Sequence, residues 1–205
     1  MVYMSKKKQA YLIIGAFASL AAAWSAATAI IPVAGPLLAD TPGLTILTMA
    51  MAYSLSLLYK RDMSSASLAA FASVAVGFIA GNLILKMAVS LLPIWGSAVN
   101  ASITAVLHTA IGLTLVDIFE SGRTIDDYSR EELTDYFKKN KDRAENERKK
   151  YEAAFNQLPP DAKKEIMELQ IRMKQKNLPI SEVNVIANRI TEIFTENGVD
   201  YLFED

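Results

Sequence analysis

The chain has no cysteine and a single histidine, His108. The first absence excludes disulfides and thiolate metal sites and leaves the redox compartment undetermined. The second excludes a multi-histidine metal centre within one chain. No G-x-x-x-x-G-K-[ST] motif occurs, and Gly77 and Gly81 lie inside an apolar run instead of at a strand-to-helix turn. There is therefore no phosphate cradle, and no cofactor is expected. Charge is also scarce, but only in one part of the chain. Up to Gly122 there are six basic and four acidic residues, which leaves fifteen of the 21 basic and eighteen of the 22 acidic residues for the shorter remainder. The near-neutral balance and the acidic second part argue against nucleic acid as a partner. Two domains are expected: an apolar one over residues 1–122 and a charged one over residues 123–205.

The apolar part reads as four helices, about Gln9 to Ile31, Leu44 to Tyr59, Ser65 to Leu92 and Ser97 to Phe119. The runs are too long, and too rich in Ala and Leu, for strands. The first is long enough for the hydrocarbon core of a bilayer, the second is short, and the third is over-long and expected to tilt. Two turns, AIIPVAGPLLAD and SLLPIWGSAVNA, carry Pro32, Gly35 and Pro36 and then Pro93 and Gly96, with Asp40 their single charge. Loops in water are usually polar because their backbone must be hydrated. These turns instead suit the far membrane interface, or a place within it. Lys6, Lys7, Lys8, Lys60, Arg61 and Arg123 all fall on the opposite side of a four-span topology. The positive-inside rule then places both termini in the cytoplasm. The lysines before the first apolar run resemble a secretory signal, but a run of about 22 residues is long for a cleaved h-region, so a retained anchor is expected.

Beyond Gly122 the pattern becomes amphipathic. One charged helix is expected from about Ser129 to Gln157, with Leu133, Phe137, Ala144, Tyr151, Phe155 and Leu158 on its apolar positions, stopped by Pro159-Pro160. A second, about Asp161 to Lys176, presents Ile166, Leu169 and Met173. A third is N-capped by Ser181 and ends at Asn197-Gly198. It places Val183, Ile186, Ile190, Ile193 and Phe194 on one face. The fold class is all-α: two Pro/Gly-turned hairpins of membrane helices followed by a cytoplasmic bundle of three amphipathic helices.

Two constellations stand out. Small residues recur at every fourth position, as Gly15, Ser19, Ala23 and Ala27 on the first helix and Ala69, Ser73, Gly77 and Gly81 on the third. In lipid such faces allow close backbone approach, either within the chain or between copies of it. A polar seam joins Asn82, Lys86 and Ser90 on the third helix to Asn100, Thr104 and His108 on the fourth. Antiparallel pairing about Trp95 brings 90 to 100, 86 to 104 and 82 to 108. Intramembrane polar groups normally face inward, so the seam reads as register-fixing hydrogen bonds or as a proton or ion path through Lys86 and His108. No catalytic constellation is present, since a lone histidine lacks a positioned nucleophile and the tail carboxylates lie on solvated faces. An enzyme is not expected.

The stretch LPIWGSAVNASITAVLHTAIGLTLVDIFESG, through Pro93, Gly96, Asn100, Ala101, Thr109, Gly112 and Phe119, resembles the YcjF-type GTPase-associated membrane domain family. The earlier PLLADTPGLTILTMAMAYSLSLLY resembles it through Pro36, Asp40, Leu44, Thr45 and Met49. The resemblance covers about residues 30–122 and implies a membrane module working with a GTPase supplied in trans. The expected function is a non-enzymatic integral membrane scaffold or adaptor. Its expected partners are the lipid bilayer, further copies of itself and a cytoplasmic protein, with membrane shaping as a consequence. The alternative is a channel or pore built on the seam.

Overall fold

A computed structural model of the chain describes residues 4–28, 36–87, 96–173 and 178–203, with side chains for 4–26, 42–82, 101–173 and 178–203. Every regular element among these is helical. The first four helices are α1 (Lys6–Thr28), α2 (Pro36–Tyr59), α3 (Ser65–Met87) and α4 (Gly96–Glu120), and all four are long and apolar enough to cross a membrane. Helix α2 starts well before the expected Leu44 and continues through Pro42. Proline removes one backbone donor, which is tolerated here in the early turns of a helix of 24 residues. The expected end of the third helix, residues 29–35 of the first Pro/Gly turn and residues 90–95 of the second lie outside the described residues, whereas Pro36 to Asp40, expected in the first turn, form the opening of α2.

The four helices run up and down. At one pole Tyr11 of α1 and Asp117 of α4 share a partner, and towards the other pole Thr104 Oγ1 of α4 donates to Ser25 Oγ of α1 at 3.0 Å. The Trp24 ring of α1 lies so close over Gly43 of α2 that a methyl group there would overlap it. At the near pole the Arg61 guanidinium donates to the Phe119 carbonyl at 3.2 Å, and Tyr59 Oη donates to Glu120 Oε1 at 3.1 Å. Lys6 sits over the Tyr59 ring. A cation at the C-terminal end of α4 is also favoured by the helix dipole. The near pole thus collects the start of α1, the Lys60-Arg61 turn and the exit from α4, where Gly122 turns the backbone through a φ of 84°.

The tail contains α5 (Arg130–Lys139), α6 (Lys141–Gln157), α7 (Pro160–Met173) and α8 (Ile180–Glu196), with 3-10 turns at Ile125–Asp127 and Asp200–Phe203. The expected single helix to Gln157 is divided at Asn140, whose φ of −81° and ψ of −1° end α5 and open α6. Side-chain periodicity does not register this break, because the Asn140 amide is drawn inward to α4. Ser129 caps α5 through a reciprocal box with Glu132, as its Oγ accepts from the Glu132 N–H and the Glu132 carboxylate accepts from the Ser129 N–H. Helix α8 begins one residue before Ser181 and takes Pro179, not Ser181, at its N-cap. Its end at Asn197-Gly198 is as expected, with Gly198 at a φ of 63° and the Val199 N–H returning to the Phe194 carbonyl.

The apolar faces of the tail helices are buried largely on the first four helices. Helix α8 lies on α1 and α2, α6 on α4 and α1, and α5 between α3 and α4. Phe137 of α5 is fully buried, edge-on to Phe71 and 5.3 Å from the Phe78 ring, both on α3. One hydrophobic core therefore crosses the compositional boundary at Gly122. Of the apolar windows, 83% of that in α4 is buried and only 39% of that in α3, so α4 is the central helix and α3 the peripheral one.

A shared core makes a cooperative prediction. Phe137→Ala removes a ring wedged between tail and apolar helices and should destabilise the whole chain by about 3–5 kcal/mol. Thermal unfolding in mild detergent, followed by far- and near-ultraviolet circular dichroism, should show one transition moved to lower temperature. A tail transition separate from an unchanged second one would contradict the shared core.

Candidate functional site

The most developed polar site lies at the near pole, where α1, α4 and α6 meet. Asp117, one turn from the end of α4, accepts from Arg143 Nη1 at 2.8 Å and from Asn140 Nδ2 at 3.0 Å, one on each carboxylate oxygen. Arg143 Nη2 donates to Tyr11 Oη at 2.7 Å. Asn140 Nδ2 also donates to Thr114 Oγ1 at 3.1 Å, while Thr114 donates to the Ala110 carbonyl. Burial works against the Arg143 charge, but its bonds to Asp117 and Tyr11 outweigh that and raise its pKa above the ordinary arginine value. This cluster was missed in the sequence. The signals present were the isolated Asp117 in an apolar run and Asn140 inside a charged helix.

Of the three expected pairs of the polar seam, only Asn82 with His108 has both side chains among the described residues, and these two do not bond to each other. Thr104 is fully buried but bonds to Ser25 on α1, and Asn82 Nδ2 donates to the Phe78 carbonyl of its own helix at 2.9 Å. His108 is fully buried, and neither ring nitrogen has a hydrogen-bond partner among the described residues. The reason is packing: α1, not α3, is the main neighbour of α4. Gly112 allows this approach, since a methyl group there would stand 2.7 Å from Ile14 Cγ1. Lys86 and Asn100 lie in α3 and α4 with only their backbone described, and Ser90 lies outside the described residues.

The two small-residue ladders have different surroundings. On α1, Gly15 lies under the Tyr151 ring of α6, where any side chain would overlap it. Ser19 donates to the Ala16 carbonyl, Ala23 is half-buried, and the Ala27 side chain is not described. On α3, Ala69, Ser73, Gly77 and Gly81 are all exposed. A methyl group on Gly81 would meet nothing within 4 Å, and one on Gly77 would meet only Arg130. Among the described residues, only Arg130 at the start of α5 approaches this ladder. Among the motif positions, Thr109 is buried and donates to the Ala105 carbonyl, and Gly96 opens α4. Pro36 and Asp40 fall in the first turns of α2 with backbone only, and Pro32, Gly35 and Pro93 lie outside the described residues. No group of three His, Cys, Asp or Glu side chains that could hold a metal ion occurs among the described residues.

Comparison with known proteins finds no matching family model, no matching curated protein and no matching solved structure.

A double-mutant cycle tests the near-pole cluster. Asp117 and Arg143 are each about a third exposed, so solvent screens their attraction. Asp117→Ala and Arg143→Ala should show a coupling energy of about 1 kcal/mol by equilibrium unfolding. A coupling of zero would mean that the tail is held by apolar contacts alone. His108→Leu should be neutral or mildly stabilising in the same assay, because it removes buried polar atoms that have no partner.

Proposed function

We propose that the chain is a non-enzymatic membrane scaffold that inserts its two apolar hairpin tips into the cytoplasmic leaflet and carries its charged helices as a collar on the aqueous side. The observation behind this reading is the level to which the collar reaches. Phe78, packed on Phe137, lies about 20 Å along α3 from Ser65 at 1.5 Å per residue. Arg130 stands beside Gly77 at the same level. Charged helices at that depth are incompatible with a bilayer wrapped around the full length of α3 and α4. The remainder of α3 beyond Phe78 is about 14 Å long, close to one leaflet of a hydrocarbon core of about 30 Å.

This arrangement accounts for the two apolar Pro/Gly turns, which would lie within lipid instead of in water beyond it. It places both termini on the cationic, cytoplasmic side. Wedges in one leaflet expand it relative to the other, so membrane shaping follows. The α3 ladder supports self-association, since Ala69, Ser73, Gly77 and Gly81 offer a shallow, exposed face that among the described residues only Arg130 approaches. Exposed Met167 and Ile171, one turn apart on α7, and exposed Val185 on α8 give the collar apolar contacts for a cytoplasmic protein. The resemblance to YcjF-type domains makes a GTPase in trans the class of partner to try first.

Because the chain has no cysteine, single labels test the depth directly. Asn146→Cys on the exposed face of α6 should react with an impermeant maleimide from the cytoplasmic side of sealed vesicles. Gly96→Cys, at the far end of α4, should be protected from both sides until detergent is added. Labelling of Gly96→Cys from the outer side would establish full spanning and overturn the one-leaflet reading. In the same vesicles the parent chain should leave a proton gradient intact, whereas dissipation lost in Lys86→Met would favour the pore.

A further inference from the structure

A cavity of about 490 Å³ runs between α1, α4 and α6, within the size range of small-molecule sites. Its two ends differ in character. Towards the hairpin tips the walls are Ala22, Ala23 and Ala26 of α1 with Ala101 and Ala105 of α4. Among the described residues, small apolar side chains on facing helices line the channel there. Towards the collar the wall is α6, which contributes Glu147, Arg148, Tyr151 and Glu152.

Glu147 Oε2 and Arg148 Nε of that wall are buried without a hydrogen-bond partner among the described residues, and Tyr151 Oη is buried with the Ser19 hydroxyl as its one polar neighbour among them. The rest of each charged group is engaged. Glu147 Oε1 accepts from Lys150 Nζ at 3.0 Å, and the Arg148 terminal nitrogens donate to Glu145 and Glu152. Ser19, beside the tyrosine, directs its own hydroxyl to the Ala16 carbonyl. Burial of the phenol raises the Tyr151 pKa above the ordinary tyrosine value, a rise that the Ser19 hydroxyl only partly offsets, so the phenol keeps its proton. Buried polar atoms are nearly always satisfied, and each exception requires an explanation. Among the described residues the exceptions along this wall are one anionic acceptor and one cationic donor, with a protonated hydroxyl between the two helices beside them.

We propose that this cavity binds a membrane phospholipid with a primary-ammonium head, of the phosphoethanolamine class, with one acyl chain along the alanine walls. The ammonium donates to Glu147 Oε2, and the phosphate accepts from Arg148 Nε and Tyr151 Oη. A quaternary ammonium has no N–H to offer the carboxylate, and an uncharged polyol head lacks the cation. The site therefore selects among lipids by the head group. It shares with the membrane reading only the source of its ligand, and a single-chain probe in detergent examines the cavity without any bilayer.

The experiment is native mass spectrometry of the full chain in a non-ionic detergent, titrated with 1-acyl lysophosphatidylethanolamine, lysophosphatidylcholine and lysophosphatidylglycerol of equal chain length. One equivalent of the ethanolamine lipid should bind at least tenfold more tightly than either of the others. O-phosphoethanolamine without a chain should not bind measurably, which separates a lipid site from a site for the free head group. Glu147→Gln should remove the preference for ethanolamine over choline, and Ala23→Phe, which fills the apolar end, should weaken all three lipids. Glu131→Gln, an exposed carboxylate on α5, should change nothing. Equal binding of the three lipids by the parent chain, or no saturable binding, would overturn the proposal. So would an unaltered ethanolamine preference in Glu147→Gln with an unchanged melting temperature. If Glu147→Gln fails to fold, the comparison of the three lipids on the parent chain decides alone.

Discussion

The contact between Asp117 and Arg143 is the constraint on which the arrangement of the molecule depends. It is a modest ion pair in energy, since both groups retain some exposure to water. Its importance is positional. The carboxylate belongs to the most buried apolar helix and the guanidinium to a charged one, and Tyr11 and Asn140 close the cluster from either side. The Asn140 side chain can reach Thr114 and Asp117 only if the helix started at Arg130 stops there, so the α5–α6 corner and the docking of α6 are set together. Once α6 is held along α4 and α1, Tyr151 covers Gly15, and the cavity between the three helices acquires its polar wall.

Much of the architecture could be read from local sequence. Long uncharged runs produced the four apolar helices, Pro159-Pro160 the stop after α6, and Asn197-Gly198 the end of α8. These features are encoded within a few residues of where they act. The break at Asn140 is different, because its cause lies on α4, more than twenty residues away in the chain. The seam illustrates the same limit. Asn82, Thr104 and His108 do recur at helical spacing, but spacing on two helices does not determine which third helix intervenes. In the structure α1 takes that place through Ser25, Ile14 and the absent side chain of Gly112.

The two small-residue ladders make the same point from another direction. Their spacing is identical and their surroundings are not. On α1 the small residues fit beneath a tyrosine and along a cavity, whereas on α3 they face outward along the least covered side of the molecule. A small face permits close approach without specifying what approaches. The specification comes from the large partner: Tyr151 is present over Gly15, and nothing comparable stands over Gly81.

The order in which the cluster's members are synthesised has a further consequence. Asp117 leaves the ribosome before Arg143, and at 5–20 residues per second the interval is between about one and five seconds. During that time all four apolar helices exist without their collar, and the carboxylate at the end of α4 has no guanidinium to meet. The four apolar helices are therefore complete first, and the closing of α6 over them comes as a later, separate event. The fold thus includes a delay between completion of the four apolar helices and their closure by the charged ones, set by nothing more than the distance in the chain between two charges.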